Sequence, residues 1–197
     1  MKWLFFSYTL PSRPSRARVS TWRQLKKLGA VSYRSVWVLL HSTERLAEIR
    51  KLVEDIESWK GEALLIEGKL VDKEDEEQLK KAFAQSRDEE YLEVIEKCED
   101  YAKEIEFEIN RRNFIFAEVE ENEEELEKLK QWLRKVEKRD IVGAPLRKEA
   151  LKHIRACEVL FQDFSRRVYE HIQGIGLDRK ETHKSLRRHS HVSKTEQ

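Results

Sequence analysis

Aromatic and apolar side chains fill residues 2–10 (KWLFFSYTL), a run that predicts a β-strand ended by the PSRP segment at 11–14. Ser15 can cap a helix over about 16–28, with Gly29 as its stop. Residues 30–41 (AVSYRSVWVLLH) read as two short strands around a turn near Arg34 and Ser35. Thr43 can cap a second helix to about Trp59, with Ile49, Leu52, Val53 and Ile56 on its apolar face and Gly61 as its stop. Residues 63–66 supply a fourth strand before Gly68. The succession β-α-β-β-α-β predicts an α+β fold, with a ferredoxin-like unit over residues 1–72.

The strands are apolar on both faces: Trp3 and Phe5 alternate with Leu4 and Phe6, and Val36 and Val38 with Trp37 and Leu39. A sheet with helices on one side alone would show polar residues on the other. A helical extension or a second copy of the protein must therefore cover the second face, and the pattern leaves both open.

From residue 73 the period becomes helical. Leu79 and Phe83 open it, and Tyr91, Val94, Cys98, Tyr101, Ile105 and Ile109 continue at spacings of three or four. After an interruption at 110–117 (NRRNFIFA), a second helix carries Val119, Leu126, Leu129, Leu133 and Val136. A break at Gly143 and Pro145 precedes a third, with Leu151, Ile154, Phe161, Phe164, Val168 and Ile172, which Gly174 and Gly176 are expected to stop. Short connections predict an antiparallel helical bundle as an extension over 73–177, followed by a disordered basic tail over 178–197.

Charge changes the picture. The first 43 residues hold no Asp or Glu, yet carry Lys2, Arg13, Arg16, Arg18, Arg23, Lys26, Lys27 and Arg34. Net charge is +7 over residues 1–60, −12 over 61–137 and +6 over 138–197 in a chain whose total is +1. Such a basic segment implies an anionic partner. With no carboxylate it cannot hold a Mg²⁺ ion, which excludes metal-dependent phosphodiester hydrolysis there. At about 100° per residue, Arg16, Ser20, Arg23 and Lys27 share one face of the first helix, flanked by Lys26 and fed by the loop that holds Arg13. Val19, Trp22, Leu25 and Leu28 are expected to face the sheet, with Trp22 as the anchor. Arginines and a helix N-terminus together suit phosphate.

Other chemistry is weakly signalled. His183, His189 and His191 lie among cations; His41, His153 and His171 are isolated; Cys98 and Cys157 lack a nucleophile or metal signature. No metal, cofactor or catalytic residue is expected, and the cysteines read as reduced thiols of a cytoplasmic protein. No apolar run is long enough to span a membrane.

The opening WLFFSYTLPSRPSRARVSTWRQLKKLGAVSYRSVWVLL, with FAEVEENEEELEKLKQWLRKVEKRD and IVGAP later, resembles the N-terminal domain of ChrB, the chromate-resistance regulator, over about residues 2–155. The βαβ start is also similar to phenylacetate-responsive repressors and, more distantly, to ferredoxin-like CRISPR spacer-acquisition nucleases. Those nucleases use an acid near the end of the first strand, where this chain reads Phe6, Ser7, Tyr8, Thr9. Leu40 stands where the ChrB family usually has Pro, and Ser35 where Gly is common. Longer regulators of this type continue into a sensor-like domain, in the place of this chain's basic tail.

The resemblance implies a nonenzymatic transcriptional regulator that contacts DNA through its basic helix: Arg16, Arg18, Trp22, Arg23, Lys26 and Lys27, joined by Arg13 and Arg34 from the residue reading. Two alternatives stay open: a protein-interaction module, for instance a homodimer through the apolar sheet face, and capture of chromate or a related oxyanion without DNA.

Overall fold

A computed structural model describes residues 1–13 and 15–192, with side chains to Gly174. Among the described residues, four strands and five helices follow one another: β1 (Trp3–Thr9), α1 (Ser15–Lys27), β2 (Val31–Tyr33), β3 (Val36–Leu40), α2 (Thr43–Ser58), β4 (Glu62–Gly68), α3 (Lys73–Arg111), α4 (Phe116–Arg139) and α5 (Arg147–Val192). The fold is α+β and mostly helical. Its single sheet has the order β2-β3-β1-β4, with every neighbouring pair antiparallel. Contacts divide the chain into two compact units: Met1–Leu92 with Arg134–Arg147, and Glu93–Leu133 with Lys148–Gln197.

Local chemistry sets the turns of the first unit. Arg34 and Ser35 both take positive φ (45° and 68°), as a two-residue hairpin between β2 and β3 requires. Gly29, at φ +80°, ends α1: its amide reaches the Lys26 carbonyl and that of Ala30 reaches Leu25, a Schellman cap. The end of α2 differs from the sequence expectation. Lys60, not Gly61, takes the left-handed position (φ 60°), and the amides of Lys60 and Gly61 close on Glu57 and Ile56. Gly61 is needed for space, since a Cβ there would sit 2.5 Å from the Thr9 carbonyl oxygen. At the start of α2, Ser42 takes the capping role expected of Thr43, its hydroxyl accepting from the Arg45 amide.

Two apolar layers sandwich the sheet. Leu4, Phe6 and Leu39 pack against Leu25 of α1 and Ile49, Leu52 and Ile56 of α2. On the other side Trp3, Val31 and Val38 pack against Leu79 and Phe83 of α3, with Ile141 and Val142 from the α4–α5 connection. This resolves the open question of the second face over Trp3 and Val38: the chain's own helix closes it. Apolar exposure on the sheet is left at Leu64 and Ile66 of the edge strand β4.

A buried ionic cluster ties α3 to the end of α4 within this unit. Arg87 is fully buried, pairs with Glu90 at 2.9 Å, and leaves its Nε and Nη1 without partners among the described residues. Arg139 pairs with the same carboxylate. Burial, ahead of the opposing pull of Glu90, holds the Arg87 pKa below its usual value. Asp140 accepts from the amides of Val142, Gly143 and Ala144 and from the Tyr91 hydroxyl, and Asp88 accepts from the Leu146 amide. Desolvation of a guanidinium offsets most of the attraction of such a pair. Arg87→Met is therefore expected to be neutral or stabilising by about 1–3 kcal/mol, because Arg139 still satisfies Glu90. Glu90→Ala should cost about 3–5 kcal/mol by leaving two guanidiniums without a carboxylate. Urea unfolding of both variants measures the contrast.

In the second unit, Val94, Cys98, Tyr101 and Ile105 of α3 are buried, as are Leu126, Leu129 and Leu133 of α4 and Ile154, Cys157, Phe164 and Val168 of α5. The predicted apolar period is thus observed at these positions, while Ile109, Val119, Leu151 and Phe161 are half-buried and Ile172 is exposed. The Tyr101 hydroxyl donates to the Asn122 carbonyl, and Cys157 Sγ lies 3.4 Å from the Cys98 carbonyl, so the two free thiols meet across α3 and α5. α5 runs on through Gly174; a glycine inside a helix costs about 1 kcal/mol, too little to stop one by itself. The basic tail expected over 178–197 falls outside the described side chains, and 193–197 lie outside the described residues.

Acidic crowding in this unit is felt at Glu104. Burial raises its pKa first, and the carboxylates of Glu125, Glu121, Glu108 and Glu118 raise it further. A carboxyl whose pKa is higher folded than unfolded destabilises the fold when ionised, and this penalty fades as pH falls through the folded pKa. Glu104→Gln is expected to raise the thermal midpoint at pH 7 and to have little effect below the carboxylate range. Thermal melts at the two pH values check the sign.

Candidate nucleic-acid interface

The cationic surface begins with the way α1 seats. Ala17, Thr21 and Leu25 are its buried positions, at spacings of four. Two of these three residues are small, which keeps the buried seam narrow. Val19 and Trp22, expected to face the sheet, are consequently 44% and 49% exposed. Trp22 is no anchor; it stands in solvent beside Arg18, Arg23 and Lys26.

The stripe itself lies as the period predicts. Arg16, Val19, Ser20, Arg23, Gln24 and Lys27 line an open groove of about 470 Å³. Arg13, Arg16, Arg18, Arg23 and Lys27 are exposed, and Lys26 is half-buried. Among the described residues none of these six cations makes an ion pair. Arg18 Nη1 lies 3.5 Å from the Pro11 carbonyl oxygen. Lys27 acts at a distance: it is the last contributor to a lowered Glu48 pKa that is due first to the hydrogen bond from Lys51.

Arg34 stands apart. Its Nη2 lies 3.2 Å from both Asp75 and Gln78 near the start of α3, and its guanidinium covers the Tyr33 ring at 5.2 Å. Lys2 is likewise taken up by Glu67, which His41 also meets at 3.0 Å. Of the eight early cations, the six in α1 and the loop that enters it make no ion pair among the described residues, while Arg34 and Lys2 do.

The sequence reading missed a second basic groove. Lys27, Leu28, Ser42, Glu44, Arg45, Lys138 and Arg139 surround about 500 Å³ at the end of α1, the start of α2 and the end of α4. Gly29 permits this meeting, because a Cβ there would lie 3.2 Å from the Arg139 Cβ. Lys138 lies 111 positions beyond Lys27 in the sequence. No local pattern joins residues so far apart; only the fold does.

Among the described residues, no three His, Cys, Asp or Glu side chains are grouped to hold a metal ion. His153 Nδ1 meets its own helix at the Glu149 carbonyl, and His171 packs edge-on against Phe114. No helix of the described residues is long and apolar enough to cross a membrane.

These features define an α+β domain that displays an acid-free cationic helix. The chain matches the family model described as Protein ChrB, N-terminal over residues 18–175, which includes most of that helix, and it belongs to this family. No curated protein and no solved structure matches the chain.

Proposed function

We propose that this protein is a nonenzymatic, DNA-binding transcriptional regulator associated with chromate resistance, acting in the cytoplasm. The observation that carries the reading is the α1 groove, where Arg16, Arg23 and Lys27 line up exposed and without a carboxylate partner among the described residues. Membership of the ChrB N-terminal family supports the regulatory part. The βαββαβ succession and the sheet order β2-β3-β1-β4 support a ferredoxin-like platform beneath the helix.

Arg13, Arg16, Arg18, Arg23, Lys26 and Lys27 neutralise phosphates in this reading. Trp22 contributes an exposed aromatic face between them, and Arg34 contributes least because Asp75 already holds it. Phosphate contacts fix position and register without reading sequence. A mobility-shift titration of duplex DNA at two salt concentrations tests the reading. Binding that weakens steeply with salt is expected, and no binding at low salt rejects it.

One observation favours a homodimer as a second reading: Leu64 and Ile66 sit exposed on an edge strand. Sedimentation of Leu64→Lys beside the unaltered protein decides it. Chromate or a related oxyanion would meet the same α1 cations, and calorimetry with chromate and sulfate separates recognition of one from general anion affinity.

A further inference from the structure

We propose that the second basic groove holds a backbone phosphate of the same nucleic acid, so that the bound strand leaves the α1 stripe at Lys27 and continues over Arg45 and Lys138; this rests on the DNA-binding reading above. Lys27 lines both grooves, which makes the two one continuous basic surface. Four cations, Lys27, Arg45, Lys138 and Arg139, surround the second groove against a single acid, Glu44.

Arg139 also joins the groove to the buried ionic cluster. Arg139 shares Glu90 with the fully buried Arg87, and the buried Nε of Arg139 has no partner among the described residues. Asp140 lies in the same cluster, its two oxygens taking three backbone amides and the Tyr91 hydroxyl, and its charge offsets part of that of Arg87.

Backbone donors add to the groove. α2 begins here, and Ser42 takes the Arg45 amide on its hydroxyl and the Leu46 amide on its carbonyl, leaving the amides of Thr43 and Glu44 without an intrahelical acceptor. Those amides and the helix dipole favour a negative group. The groove is open to solvent and much larger than one phosphate. That shape suits a group carried by a passing chain better than an enclosed free ion.

The test measures binding of a fluorescently labelled DNA duplex of about 20 base pairs, as the slope of log affinity against log salt. Full-length protein is compared with Lys138→Ala, Arg45→Gln, Glu44→Gln and the stripe variant Arg16→Ala/Arg23→Ala. Lys138→Ala and Arg45→Gln are each expected to weaken binding about tenfold at low salt and to reduce the slope by about 0.9. Glu44→Gln removes the one acid and should tighten binding about two- to fivefold, a gain that misfolding cannot produce.

If the stripe variant loses affinity while Lys138→Ala, Arg45→Gln and Glu44→Gln match the unaltered protein, the groove is off the path and the inference falls, with the DNA-binding reading intact. If the unaltered protein does not bind duplex, both fall. Titration with inorganic phosphate alone separates the sources. Saturable phosphate binding that Lys138→Ala abolishes, with duplex affinity unchanged, would overturn a backbone role in favour of a free ion.

Discussion

Phe83→Ala is expected to destabilise the first unit by about 3–5 kcal/mol, a large part of the stability of a domain this size. Phe83 is almost wholly buried and stacks on Trp3 with ring centroids 5.4 Å apart. Together with Leu79 it closes the sheet face that β1 and β3 would otherwise show to water. Truncation removes the transfer energy of a phenyl ring and leaves a cavity against Val38 and Trp3, neither of which can move far within the sheet. Phe107→Ala is the control, because that ring is half-exposed and meets Arg111 at the surface; it should change stability by no more than about 0.5 kcal/mol. Urea unfolding followed by circular dichroism reads both. A Phe83→Ala loss below about 1 kcal/mol would mean that α3 does not close the second face.

The other large effect is on binding. Arg16→Ala/Arg23→Ala/Lys27→Ala is expected to lower duplex affinity at low salt by two to three orders of magnitude, on the order of 1 kcal/mol or more for each charge-assisted phosphate contact. Its thermal stability should be almost unchanged. All three side chains are exposed and make no ion pair among the described residues, so the fold gains little from them. The combination of lost binding and kept stability matters, because loss of fold cannot produce it. Arg34→Ala should cost far less binding, since Asp75 and Gln78 already engage that guanidinium.

Where the fold was legible in the sequence, a local rule acted alone. The alternating aromatic run gave β1, the helical period and Gly29 bounded α1, and the hairpin turn fell on Arg34 and Ser35 as expected. The neighbours that compete at a single position were harder to read. Ser42 and Thr43 are adjacent hydroxyl residues, and only backbone geometry selects Ser42 as the cap. Gly61 stood out as a stop, yet the left-handed residue is Lys60, and the glycine serves the close approach of Thr9.

The candidate site shows the same division. The angular spacing of Arg16, Ser20, Arg23 and Lys27 follows from the helix alone, and these residues do line one groove. Which arc of α1 is buried depends on the tertiary packing around it. Ala17 and Thr21, two small residues that hydrophobicity ranks low, took the place expected of Val19 and Trp22. Partners that long-range folding supplies had no local signal: Leu79 and Phe83 over the sheet, Asp75 at Arg34, Arg45 and Lys138 beside Lys27, and Cys98 beside Cys157.

The most direct test compares two salt slopes on the same DNA duplex, one for the unaltered protein and one for Arg16→Ala/Arg23→Ala/Lys27→Ala. If each lost cation had displaced one condensed counterion, the slopes should differ by about 2.7. Equal slopes, or an unaltered protein whose binding ignores salt, would show that the exposed charges of α1 do not touch a polyanion.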